Sequence, residues 1–159
     1  ETVHAFDANR CDVLTTDKSG LYSAIGLLKD QNSVIILPEI ISKEPLGPVV
    51  AQGDDEWFNI VRWSLYAMIN AEELGIASYN INNMAMSSDP AIMRFIGLEG
   101  VKGRGLGLSD TWARDIIKQV GNYGESFERN LGMESPLKIR RGYNALWNNG
   151  GILYAPPIR

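Results

Sequence analysis

The 159-residue chain is poor in the residues that most often announce a chemistry. It holds one cysteine, Cys11, and one histidine, His4. A single cysteine excludes a disulfide network within the chain and a cysteine-rich zinc site. A single histidine argues against a histidine-built metal site or a Ser-His-Asp triad. No apolar run reaches the roughly 18 residues that cross a bilayer, so no membrane insertion is expected. Positive charge is not in excess either: 15 Lys+Arg face 19 Asp+Glu, a net charge of −4. That is the wrong sign for a general nucleic-acid binder, which displaces counterions with a basic surface. Internal repeats and low-complexity stretches are missing. The chain also opens without Met or a signal peptide. Glu1-Thr2-Val3-His4-Ala5-Phe6 reads as the middle of a helix begun earlier, and a processed or truncated piece is expected.

What remains is close to a soluble globular average, with 45% apolar and 21% charged residues. A chain of this size buries about 68–70% of its unfolded surface, enough for a core without staples. Two textures divide it. Over residues 1–52, three short apolar runs read as strands: Cys11–Thr16, Val34–Leu37 (stopped by Pro38) and Val49–Gln52. A helix is expected over Leu21–Lys29, capped by Asp17 or Ser19. After residue 53 the pattern is mostly helical. Asp54 or Asp55 caps a helix from about Glu56 to Leu74, ended by Gly75. Asn80–Met84 forms a short helix, and Asp89-Pro90 starts another to about Ile96. Ser109 caps a helix over Thr111–Val120, continuing past Gly121 toward Asn130. Gly142–Trp147 is a last short helix before an extended tail. The order gives an α/β class, although three strands are few for a stable sheet.

Few constellations carry chemistry. Gly103-x-Gly105-x-Gly107 resembles a dinucleotide loop, but it lies between two helices rather than after a strand, so it is read as a turn. Cys11 is expected to be a small hydrophobe inside a buried strand, with a partner outside this chain as the alternative. His4 is read as solvated or capping. Trp57, Trp63, Trp112 and Trp147 are assigned to core packing. The acidic turn Asp54-Asp55-Glu56 complements a helix dipole and needs no metal. No cofactor is expected. Asp17 is the exception, since it stands at the carboxyl end of an expected strand and before a helix, where open α/β sheets place ligand groups. It can serve as an N-cap, as a ligand contact for an ammonium group, or as both.

The run Asn9-Arg10-Cys11-Asp12-Val13-Leu14-Thr15-Thr16-Asp17 resembles the G-R-x-D-x-x-x-x-D segment of the polar amino-acid-binding proteins of bacterial ABC transporters, with Asn9 for the usual Gly. The resemblance extends through Ile36–Pro48, Gly53–Phe58, Lys118–Glu125 and Gly150–Arg159, and is most like the general L-amino-acid-binding subfamily. It implies the C-terminal portion of a two-lobe type II periplasmic-binding-protein fold. Residues 1–42 would end lobe two, 43–52 would be a hinge crossing, and 53–159 would be the C-terminal share of lobe one. It further implies a periplasmic location, a signal peptide in the precursor, an L-amino acid held between the lobes, and a permease partner. In that family the aspartate matching Asp17 accepts hydrogen bonds from the ligand's α-ammonium group. The arginine that grips the α-carboxylate has no match here, so impaired binding by the chain alone is expected. The alternative is an enzyme on the same scaffold, resembling the periplasmic cyclohexadienyl dehydratases. If the helical faces around Trp57–Leu74 lack a sheet, a homodimer or domain swap would cover them.

Overall fold

The computed structural model describes residues 1–100 and 103–158. Its organising element is α3, Asp55–Glu73. Asp54 caps it, its Oδ1 accepting the Trp57 N–H at 2.9 Å, while Asp55 and Glu56 place negative charge in the first turn. At 19 residues the helix is about 28 Å long. Fully buried Ala67 and Ala71, one turn apart, let neighbouring elements approach its backbone. Around them close Ile76, Ile81, Phe95, Ile96, Trp112, Ala113 and Ile117. The helices before it are α1, Thr2–Asp7, and α2, Lys18–Ile25. Those after it are α4, Pro90–Phe95, α5, Trp112–Val120, and α6, Tyr123–Asn130. Short 3-10 turns occupy Ile81–Met86, Arg104–Leu106, Gly142–Asn144 and Trp147–Asn149. Helices α5 and α6 and the 104–106 turn pack against α3.

The expected continuation of α5 through Gly121 does not occur. Gly121 takes φ +82, in the left-handed region, and ends the helix. Asn122 then starts α6 with a reciprocal cap: its side chain accepts from the Glu125 N–H while Glu125 accepts from the Asn122 N–H. At the other end of α5, Thr111 rather than Ser109 is the flanking residue.

A second, smaller core lies under the tail. Ile69 of α3 packs with Leu146 and Ala155. Asn70 anchors the segment, its Nδ2 donating to the carbonyls of Tyr66 at 2.9 Å and Pro156 at 2.8 Å. An isolated parallel bridge joins Leu146 to Leu153.

Apart from that bridge, strands are absent among the described residues, and this departs from the α/β expectation. The three apolar runs near the start are irregular and unpaired, with bends at Asp12 and Thr16 and a turn at Gln52. A strand is held by inter-strand N–H···O=C bonds, and the backbone bonds around these runs are local turns such as Ser33 N–H to Asp30 at 3.4 Å. In the second run exposure alternates as along a strand: Val34 and Ile36 are half-buried, while Ile35 and Leu37 are exposed. Much uncovered apolar surface sits here; on α3 the C-terminal half is covered within the chain, while Trp57 and Phe58 in the first turn stay about half exposed. Ile35, Ile41, Leu46 and Val49 are 78–95% exposed.

Two sequence assignments are corrected. Cys11 is exposed, not buried, because its run gains no neighbouring strand. Of the tryptophans, Trp112 is core and Trp63 packs against it, but Trp57 and Trp147 are more than half exposed. Trp57 lies in the first turn of α3, before the packed stretch. Trp147 meets the edge of Tyr154 at 6.3 Å between ring centroids.

Candidate functional site

Asp17 is the N-cap of α2. Its backbone is extended, with φ −58 and ψ 155, which turns the side chain back over the first helical turn. Oδ2 accepts the Gly20 N–H at 2.8 Å and the Ser19 hydroxyl. Oδ1 accepts the Thr16 hydroxyl at 3.2 Å. These donors, Ser19 foremost and then Gly20, hold the carboxyl below the usual carboxylate range. A carboxylate so placed is ionised at neutral pH and can only accept. Oδ1 has a single described donor and two lone pairs, so it retains acceptor capacity. No ion pair among the described residues involves Asp17; the carboxylates that pair are Asp7, Asp115 and Glu72. Asp17 is therefore a partly exposed anion, oriented by its own loop and lacking a cation. Such a group can receive an ammonium ion.

The upstream motif residues reach a different place. Asn9, Cys11 and Asp12 line a cavity of about 220 Å³ together with Phe6, Asp7 and Val34, and Asp17 is not among its walls. Asn9 takes φ +56. That left-handed conformation suits the glycine expected there, and asparagine is among the side chains that tolerate it best. Lys29 joins this region to α1, its Nζ 3.5 Å from Asp7. His4 is exposed on α1. The 103–107 glycine segment forms a 3-10 turn, and what the resemblance says of Arg159 falls outside the described residues. Among the described residues no group of three or more His, Cys, Asp or Glu is placed to hold a metal ion, and no helix is long and apolar enough to cross a membrane.

The polar residues that organise the helical body were not singled out in sequence. Arg141 grips Glu72 with two bonds, 2.7 and 3.0 Å, across 69 positions. Its guanidinium lies 5.4 Å from the ring centroids of both Tyr123 and Phe127, and it also donates to the Asn144 carbonyl. Nothing in the local sequence marks that pair. The cap at Asn122 was legible, since N-x-x-E is a helix-start signature. Burial pushes the Glu125 carboxyl upward, but donors from Ser78 and Asn122 outweigh it and hold the group below its ordinary value. Burial raises the Tyr123 hydroxyl.

The order of motifs, the Asp17 loop and the helical body together define a class. The chain belongs with the periplasmic amino-acid-binding proteins of ABC transporters, the family of its homologues at 50–62% identity, which it matches in their C-terminal part. Among them is the general L-amino acid-binding periplasmic protein AapJ of Rhizobium johnstonii, 62% identical over 98% of this chain and 46% of that protein. The glutamate/glutamine/aspartate/asparagine-binding protein BztA of Rhodobacter capsulatus is 50% identical over 97% of this chain and 46% of its own length. A solved ABC transporter periplasmic binding protein from Brucella ovis with glutathione bound superposes with a TM-score of 0.91. It is 51% identical, and the match covers 99% of this chain and 50% of that one. No family model matches the sequence. The chain spans about half the length of the curated relatives it matches.

Proposed function

We propose that the chain is part of the solute-binding component of an amino-acid ABC transporter, which captures free L-amino acids in the periplasm and hands them to the membrane permease. Asp17 would receive the α-ammonium group of the ligand. The observation that carries this role is a loop-oriented carboxylate, held ionised by Ser19 and Gly20, with no cation partner among the described residues. The ligands named for the Rhodobacter and Brucella relatives support the substrate class. Glutamate, glutamine, aspartate, asparagine and the γ-glutamyl end of glutathione all present one free α-ammonium and one α-carboxylate. A site reading that head would accept every one of them. Catalysis forms no part of this reading: the homologues are transporter binding proteins, which are not enzymes.

The same reading accounts for the unpaired runs. Residues 1–42 would close one lobe, 43–52 would cross between lobes, and 53–159 would belong to the other. Cys11–Thr16, Val34–Leu37 and Val49–Gln52 would then be strands of two α/β sheets whose remaining strands lie in the other half of the relatives' length. The alternating exposure of Val34–Leu37 and the missing ladders of all three runs support it. In a protein of the relatives' full length, Asp17→Ala should weaken amino-acid binding at least about tenfold, because an ammonium loses a charged acceptor. Unchanged affinity by calorimetry refutes the assignment. The 159-residue chain alone should bind amino acids weakly. Its exposed residues between 35 and 49 should also drive self-association, by dimerisation or strand exchange, which sedimentation would detect.

A further inference from the structure

Below the face formed by α5 and the 81–86 turn lies a pocket of about 200 Å³ that the amino-acid-binding reading does not use. Its floor is apolar, with Ile81 and Ile96 each 2% exposed and Leu98 at the edge. Each of its polar side chains can donate, and none is acidic. Arg114 and Lys118 stand one helical turn apart on α5, so both side chains project over the same opening. Asn82 contributes an amide from the facing turn.

These donors are largely unspent. Lys118 and the Asn82 side chain have no partner among the described residues. Arg114 touches only Asp115, and loosely: Nε and Nη2 both lie 3.4 Å from the same oxygen, Oδ1. The other oxygen, Oδ2, is taken by the Thr111 hydroxyl at 2.7 Å, so Asp115 is held back along its own helix. The Nη1 donors of Arg114 stay available for a planar oxyanion. Two cations and an amide above a greasy floor form a one-signed, amphipathic receptor.

We propose that this pocket binds a small oxyanion carried on an apolar body, a carboxylate or phosphate on an aromatic or branched group. The oxyanion sits between Arg114 and Lys118 with Asn82 completing its hydrogen bonds, and the apolar part lies against Leu98, above the floor of Ile81 and Ile96. The site is independent of the Asp17 loop, with which it shares no residue.

The test is a titration of the ¹⁵N-labelled 159-residue chain with benzoate, inorganic phosphate and benzamidine, followed by amide chemical shifts. Benzoate should give saturable shifts at Asn82, Arg114 and Lys118, phosphate weaker ones, and the cation benzamidine none. Arg114→Gln should weaken benzoate at least about threefold, a modest loss because the head group is part-exposed. Asp115→Asn should tighten it by releasing the guanidinium. If Arg114→Gln fails to fold, Lys118→Gln carries the same expectation. Shifts that do not saturate, or that benzamidine reproduces, overturn the proposal. Phosphate binding as tightly as benzoate overturns the apolar half of it.

Discussion

Arg141 offers the sharpest test of how the helical body is held. Its guanidinium and the Glu72 carboxylate have side chains only 18% and 17% exposed, and two bonds of 2.7 and 3.0 Å join them. Removing one partner of a fully buried pair costs about 3–5 kcal/mol, because the other charge is left uncompensated. Partial exposure lowers that cost. The two contacts to the Asn144 carbonyl and the faces of Tyr123 and Phe127 add to it, each cation–π contact by about 0.5–1 kcal/mol. Arg141→Ala should therefore destabilise by about 3 kcal/mol, read from urea melts followed by circular dichroism. Arg141→Lys keeps the charge but not the fork, and should cost about half as much. The pair Glu72→Gln with Arg141→Met should recover part of the loss, since neither charge is then stranded. The Tyr123 hydroxyl is a second readout. Arg141 lowers its pKa and Glu72 raises it, so Arg141→Ala should move the tyrosinate transition to higher pH. A destabilisation below about 1 kcal/mol, within the range of exposed pairs, would refute the reasoning.

Other expectations follow from single contacts. Glu125→Gln should cost about 1 kcal/mol near neutral pH by weakening the reciprocal cap. The folded pKa of Glu125 lies below its ordinary value of 4.5, so its contribution is present above that pH and lost as pH falls through the folded value. The gap between wild type and Glu125→Gln should close on acidification, and a gap that widens would reverse the sign. Gly97→Ala should prevent folding or cost several kcal/mol. Position 97 has φ +80, and an added Cβ would overlap the Asp110 carbonyl, meeting its carbon at 2.7 Å. A melting temperature within a few degrees of wild type would show that the 97–110 loops can shift.

Much of the helical half was legible because its signals are local. Of the two expected candidates, Asp54 rather than Asp55 caps α3, and Asp89 caps α4, with side-chain bonds to Trp57 and Ala91. Pro90 opens α4, and Asp17 caps α2. The motif around Asp17 points to the homologous family from sequence alone, because a string of specific residues is legible where a fold signal is weak. The strands were not legible in the same way. Apolar, β-branched runs indicate a capacity to pair, but pairing needs a second backbone at ladder distance.

The sequence by itself indicated where several helices start, which carboxylate is the candidate for a ligand contact, and which protein family the chain resembles. All three depend on side chains within a few positions of one another. Tertiary structure alone decided that the C-terminal half of α3 is covered within the chain, and that Trp57 and Trp147 face solvent while Trp112 is buried. It also joined Arg141 to Glu72 and Asn70 to Pro156 across 69 and 86 positions. Those outcomes depend on which surfaces meet after the backbone has folded, and no periodicity in a linear chain encodes that meeting.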